Sequence, residues 1–118
     1  MEIYTLLRKG ELHKNYCEDF LFTGQYNDNY CVFAVFDGCS SGRDAHFASA
    51  LMGKCLQASL YNVKDSAESN CNGFINQLVY QTLLNFRETR DRLMLGLPEL
   101  LTSLIVFVYS PAENVGEI

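Results

Sequence analysis

The sequence predicts an α+β domain in which an antiparallel sheet is combined with two long helices. Segments rich in aromatic and β-branched residues, bounded by turn residues, predict strands at about 3–7, 18–24, 31–37 and 102–109. Two longer segments repeat apolar residues at helical spacing and predict helices at about 42–61 and 72–95. A chain of 118 residues has room for one small domain, so residues 1–118 are expected to form a single unit.

The first two strands are predicted from short apolar segments that end in turns. Ile3–Leu7 is apolar apart from Thr5 and stops at Arg8-Lys9-Gly10. In the second strand, Phe20 and Phe22 alternate with Asp19 and Leu21, which indicates two different faces. The polar stretch 25–29 then has the composition of a hairpin turn, which predicts antiparallel pairing with the next strand.

The third predicted strand, Cys31–Phe36, is apolar at every position. A strand without polar alternation is typical of one that is buried on both faces. Asp37-Gly38 ends this strand, so a carboxylate lies where a buried strand meets a loop. The hairpin would bring Glu18 or Asp19 to the same end of the sheet as Asp37, and the acids could converge there.

Capping residues and apolar periodicity define the two helices. Ser40 or Ser41 is suited to cap the first helix, with Asp44 in the place of a capping-box acid. The second helix has a broad apolar stripe opposite a polar face. We expect Gly96 to form its left-handed cap and Pro98 to prevent its continuation.

The last part of the chain predicts more sheet. Leu104–Tyr109 is a second strand that is apolar throughout, and a turn follows it. Residues 116–118 then resemble the beginning of a further strand. The sequence contains no repeat and no low-complexity tract.

Charge and cysteine content exclude several classes of protein. The net charge of −5 argues against nucleic acid and anionic membranes as partners, since both require a basic surface. No segment reaches the roughly 20 apolar residues of a transmembrane helix, and the beginning of the chain lacks the pattern of a secretory signal. The five cysteines are odd in number and form no CxxC pair, which favours reduced thiols and a cytoplasmic location.

Three motifs, taken in order, resemble a known family. Asn15-Tyr16-Cys17-Glu18-Asp19 provides an acidic pair, FAVFDG ends the central strand, and Leu101-Thr102-Ser103 opens the strand that follows two long helices. This order is similar to that of the metal-dependent serine/threonine protein phosphatases of type 2C. An ordered set that spans nearly the whole chain is more specific than any one motif, because Asp-Gly alone is a common turn.

The resemblance implies a fold and a metal site. The family fold is a four-layer α-β-β-α sandwich, of which this sequence would supply the N-terminal half. Asp37 corresponds to the acid that bridges two divalent cations, Mg²⁺ or Mn²⁺, and Gly38 to the residue whose carbonyl oxygen binds one of them. Glu18 and Asp19 correspond to the acids that support the second metal. The later acids of the family are absent, so the two-metal site is expected to be incomplete.

The implied reaction is hydrolysis of a phosphoserine or phosphothreonine ester in a phosphoprotein, by water activated between two cations. Lys14, with His13 beside it, lies near the position of the family's phosphate-binding Arg. Cys39 stands where many members have a proton-donating His, so Cys39 and His46 are weak candidates for a proton donor, and Cys39 for a redox role. A soft-metal site from His13, Cys17, Cys39 and His46 is disfavoured, because the spacing matches no zinc pattern.

Three hypotheses follow for the function of the chain. It is the N-terminal part of a phosphatase and lacks full activity by itself, or a pseudophosphatase-like binding or regulatory module, or an enzyme assembled from two copies that each supply half of the sandwich. Two apolar strands in a half-sandwich would expose a large apolar face, which soluble monomers rarely tolerate. We therefore expect a homo-oligomer that forms through this face.

Overall fold

A four-stranded antiparallel sheet and two helices form the fold, which confirms the predicted α+β class. The computed structural model describes residues 2–9, 11, 17–39, 45–63 and 70–118. The sheet order follows the chain, with each strand beside the next. Its strands are β1 (Asp19–Tyr26), β2 (Tyr30–Gly38), β3 (Thr102–Ser110) and β4 (Val115–Glu117).

The two helices connect β2 to β3. Helix α1 spans Ala45–Asn62 and helix α2 spans Cys71–Leu93, and a short 3₁₀ turn, Leu97–Glu99, leads into β3. Both helices lie close to their predicted positions. The proposed caps Ser40, Ser41 and Asp44 lie outside the described residues. Within the described residues, no helix combines the length and the apolar character that crossing a membrane requires.

The predicted strand at Ile3–Leu7 is wrong, because residues 2–9 have no regular secondary structure. The side chains of Tyr4 and Leu6 are 86% and 88% exposed. A strand is stable only when its backbone groups pair with a neighbour, and in the described sheet no strand pairs with this segment. The expectation of a further strand near residue 116 is confirmed by the short strand β4.

The core lies between the helices and one face of the sheet. Alternate residues of β2 and β3 point toward the helices and meet the apolar stripes of α1 and α2. The best buried members of this core are Val32, Ala34, Phe36, Leu56, Cys71, Leu78 and Val108. A partly buried hydrogen bond from Asn85 Nδ2 to Ser59 Oγ, at 2.8 Å, also joins the two helices.

The opposite side of the sheet is apolar but exposed, so the prediction that β2 is buried on both faces is wrong. We call this side the open face and define it by Leu21, Phe33, Val35, Ile105 and Phe107, which the strand register places in adjacent cross-strand rows. Val35 is 48% exposed and Ile105 is 53% exposed. The amino-acid pattern of β2 suits burial on both sides, but the helices cover one side only.

Helix α2 ends two residues earlier than its predicted cap. Met94 has φ 56° and is the left-handed residue, whereas Gly96 has φ −87°. The N–H groups of Met94 and Leu95 donate to the carbonyls of Asp91 and Arg90, as in a Schellman motif. The prediction of Gly96 as the left-handed cap is therefore wrong, since the hydrogen bonds of the motif fix the cap at Met94.

Candidate functional site

Asp19 and Asp37 lie opposite one another at one end of the sheet. The hairpin of β1 and β2 turns at residues 27–29, and its register pairs Asp19 with Asp37, at the end away from the turn. Directly opposed residues of an antiparallel pair share a face, so both carboxylates belong to the open face. Both residues are exposed. The expected approach of an acid of β1 to Asp37 is thus confirmed for Asp19.

The Thr-Ser pair that opens β3 joins the same row. The register places Ser103 opposite Asp37 and Thr102 opposite Gly38. The hydroxyl groups of Thr102 and Ser103 donate to the carbonyl oxygen of Asp37, at 3.2 and 3.4 Å. The acidic pair, the Asp-Gly pair and the Thr-Ser pair, which are far apart in sequence, therefore meet at one end of the sheet.

Gly38 packs against two other backbone segments. Its N–H donates to the carbonyl of Glu18 at 3.1 Å. A Cβ atom at this position would overlap the carbonyl oxygen of Ala45 and would come within 2.6 Å of the carbonyl oxygen of Glu18. Only glycine fits, because the first turn of α1 approaches the end of β2 this closely. The geometry of the Asp-Gly pair is thereby coupled to the position of α1.

Glu18 contributes to the site mainly through its backbone. Its carbonyl oxygen accepts from the N–H of Gly38 and also from the hydroxyl of Ser49, at 2.6 Å. Side chains alternate between the faces along an extended strand, so the face that carries Asp37 is that of Asp19 and not that of Glu18. Asp19 is therefore the better placed of the two acids to share a ligand with Asp37.

Ser49 is a structural residue of this site that the sequence reasoning missed. It lies on α1, is 1% exposed, and its hydroxyl is also 3.2 Å from the carbonyl oxygen of His46. The bond to Glu18 ties α1 to the beginning of β1, just before Asp19. The signal in the sequence was a serine on a mostly apolar helix face, which does not by itself identify the partner.

The remaining candidate residues are more dispersed. Cys39 is exposed and its N–H donates to the carbonyl of Leu101 at 2.9 Å. His46 is half-buried on the first turn of α1. His13 and Lys14, the predicted phosphate ligands, lie outside the described residues, so the soft-metal alternative that includes His13 does too.

The five cysteines are free thiols. Burial raises the pKa of the thiols of Cys55 and Cys71, which makes them less available as thiolates at neutral pH. Cys39 is the exposed one and adjoins the Asp-Gly pair. A redox role is therefore proposed only for Cys39, on the basis of this position.

The side-chain oxygens at this end of the sheet are of the type that binds hard divalent cations, but they are few. Carboxylate and carbonyl oxygens are the ligands that Mg²⁺ and Mn²⁺ prefer, and Asp19 and Asp37 supply two neighbouring carboxylates. Among the described residues, no three side chains of His, Cys, Asp or Glu form a group that could hold a metal ion. The two carboxylates alone are therefore fewer than the roughly six oxygen ligands that such a cation takes.

Comparisons of the chain with protein-family models, with curated proteins and with solved structures found no match.

Proposed function

We propose that this chain is one half of a metal-dependent phosphoserine/phosphothreonine protein phosphatase of the type 2C kind. The observation that carries the proposal is the cross-strand row of Asp19, Asp37 and Ser103. Three motifs that resemble those of the family occupy this row or its ends, although the second and third motifs are 65 residues apart.

The carboxylates of Asp19 and Asp37 are the proposed metal ligands, with the Gly38 carbonyl as a further oxygen donor and Glu18 as a weaker candidate. Like charges directly opposite one another destabilise a strand pair, and a divalent cation would offset that repulsion. A divalent cation bound there supplies a water molecule of lowered pKa and neutralises phosphate charge. The Thr102 and Ser103 hydroxyls hold the Asp37 backbone, and Lys14 and His13 remain the proposed phosphate ligands.

A second copy of the chain is the proposed cover of the open face. The open face has no charged side chain in its two central rows, Leu21 with Val35 and Ile105, and Thr23 with Phe33 and Phe107. Sheets that pack face to face bury such rows about 10 Å apart and yield the proposed four-layer sandwich. If the two copies are related by a two-fold axis parallel to the strands, Asp19 and Asp37 of both copies lie at the same end. The pair of chains then supplies four carboxylates. That number suits a two-cation site better than the two carboxylates that the acidic row of one chain supplies.

This arrangement predicts phosphatase activity that depends on chain concentration. Hydrolysis of p-nitrophenyl phosphate in Mn²⁺ should rise with the square of the concentration below the dissociation constant of the pair, because the two copies share one site. Asp37→Asn should reduce the rate at least about a hundredfold, since it removes a carboxylate from both halves. A rate that Asp37→Asn leaves unchanged would contradict the proposed role of Asp37.

The open face also predicts an oligomer that one substitution disrupts. Val35→Lys places a charge in the centre of the face and should weaken association on the order of a hundredfold, because the ammonium group must be desolvated. Light scattering at micromolar concentration measures the mass of each form. Tyr61→Lys on α1 is the matched control, since Tyr61 is 83% exposed and lies outside the open face. A wild-type chain that is monomeric under these conditions would overturn the proposed pairing.

The second candidate function is a pseudophosphatase-like module that binds or regulates without hydrolysis. It is favoured by the lack of a three-residue metal group among the described residues. The concentration series separates the two functions, because a binding module would associate through the open face without any Mn²⁺-dependent hydrolysis. In either case the proposed partner class is protein, and the negative charge and the free thiols support the expectation of a cytoplasmic protein without a nucleic-acid or membrane partner.

A further inference from the structure

The sheet has an unpaired backbone edge beside an apolar groove. Strand β4 pairs only with the last three residues of β3, from Val108 to Ser110. On that side, the stretch 102–107 of β3 has no partner strand among the described residues. An edge of this length presents a row of free N–H and C=O groups and is a template for a further strand.

The groove between this edge and helix α2 is mainly apolar, and none of the side chains that line it is charged. Its volume is about 530 Å³, and its walls come from the side of α2, the edge of β3 and the end of the chain. Tyr80 and Leu83 on α2 are 64% and 51% exposed, and Ile118 is 85% exposed. A strand added beside β3 would cover these side chains while its backbone pairs with the edge, which is the mode called β-augmentation.

The same chain contains a segment with the properties of such a strand. Ile3–Leu7 has no secondary structure, carries no charge and exposes its large side chains. One face would carry Ile3 and Leu7 on either side of Thr5, and the other Tyr4 and Leu6, so large apolar side chains lie on both faces. A strand at this edge needs apolar residues on both sides, because one side meets α2 and the other extends the open face. Five residues of extended chain span about 17 Å, which fits within the unpaired stretch.

We propose that the edge of β3 receives the Ile3–Leu7 segment of a second copy of this chain. The pairing is antiparallel to β3 and continues the register of β4. This direction carries Arg8 toward the end of the sheet where Asp37 and Asp19 lie, whereas the parallel direction would bring Glu2 there. Charge complementarity therefore selects the antiparallel direction. The segment does not pair with this edge in its own chain, so the donor is the second copy.

This interface does not rest on the proposed phosphatase function. It uses the edge of β3, whereas the proposed face-to-face pairing uses the open face, and Ile105 contributes to both. Its test is photo-cross-linking between copies that differ in isotope content. The photoreactive residue p-benzoylphenylalanine replaces Tyr80, and unlabelled and ¹⁵N-labelled chains are mixed in equal amounts. Mass spectrometry should find α2 joined to residues 2–9 in cross-links that combine one labelled and one unlabelled chain. The same residue in place of Tyr61 on α1 is the control and should give less than a tenth of that yield.

Substitutions in the donor segment complete the test. Ile3→Asp with Leu6→Asp, one on each face of the segment, should lower the yield of mixed cross-links at least tenfold while the circular dichroism spectrum is unchanged, because residues 2–9 contribute no helix or strand to the single chain. Val35→Lys should change the yield of mixed cross-links by less than twofold relative to the chain without this substitution. Cross-links that stay within one chain, cross-links to other segments, or no cross-link at position 80 would each overturn the proposal.

Discussion

Gly38→Ala is expected to destabilise the fold by about 3 kcal/mol or more. The new methyl group would meet two backbone carbonyl oxygens, those of Ala45 and Glu18, and backbone atoms cannot move aside as the end of a flexible side chain can. Relief of the overlap requires that α1 move away from β1 and β2. That movement would break the bond from Ser49 to Glu18 and loosen the core beneath α1.

Gly96→Ala is the matched control for this prediction. A Cβ atom there would approach only the side chains of Glu99 and Pro98, at 3.5 and 3.6 Å, and φ of −87° suits alanine. We expect a change of less than about 0.5 kcal/mol in the free energy of unfolding. Urea unfolding followed by circular dichroism compares the two variants. Equal urea midpoints for the two variants would contradict the prediction that the contact between α1 and Gly38 constrains the end of β2.

Asp37→Asn is expected to have the largest effect on metal binding. The amide keeps the size and most hydrogen-bonding capacity of the side chain but removes the charge that a divalent cation requires. With one carboxylate left at Asp19, the affinity for Mn²⁺ should fall at least about tenfold. The fold should be preserved, because the Asp37 side chain is exposed and the bonds from Thr102 and Ser103 go to its backbone carbonyl.

The strands and helices that local patterns define were predicted well. Apolar runs that end in turn residues identified β1, β2 and β3, and apolar periodicity identified both helices. The hairpin turn, where Asn27 has φ 49°, set a register that brings Asp19 to Asp37. These features depend on residues that are close in sequence, which is why the sequence alone was sufficient.

The predictions that were wrong concern interactions between segments that are distant in sequence. Ile3–Leu7 has the composition of a strand, but composition cannot supply the partner that a strand requires. The apolar character of β2 indicated burial on both faces. The amino-acid pattern does not show whether the element that would cover the open face belongs to the same chain. Ser49 and the close approach of Ala45 to Gly38 depend on how α1 packs, which no short-range pattern encodes.

The most direct test of the account is a titration of the chain with Mn²⁺, in which electron paramagnetic resonance measures the free ion. The wild-type chain should lower the free Mn²⁺ signal, Asp37→Asn should bind at least tenfold more weakly, and Asp28→Asn should match the wild type. Asp28→Asn is the control because it removes the same negative charge, but from the exposed turn at the opposite end of the hairpin. Equal Mn²⁺ binding by all three proteins would contradict the assignment of the metal site to Asp37.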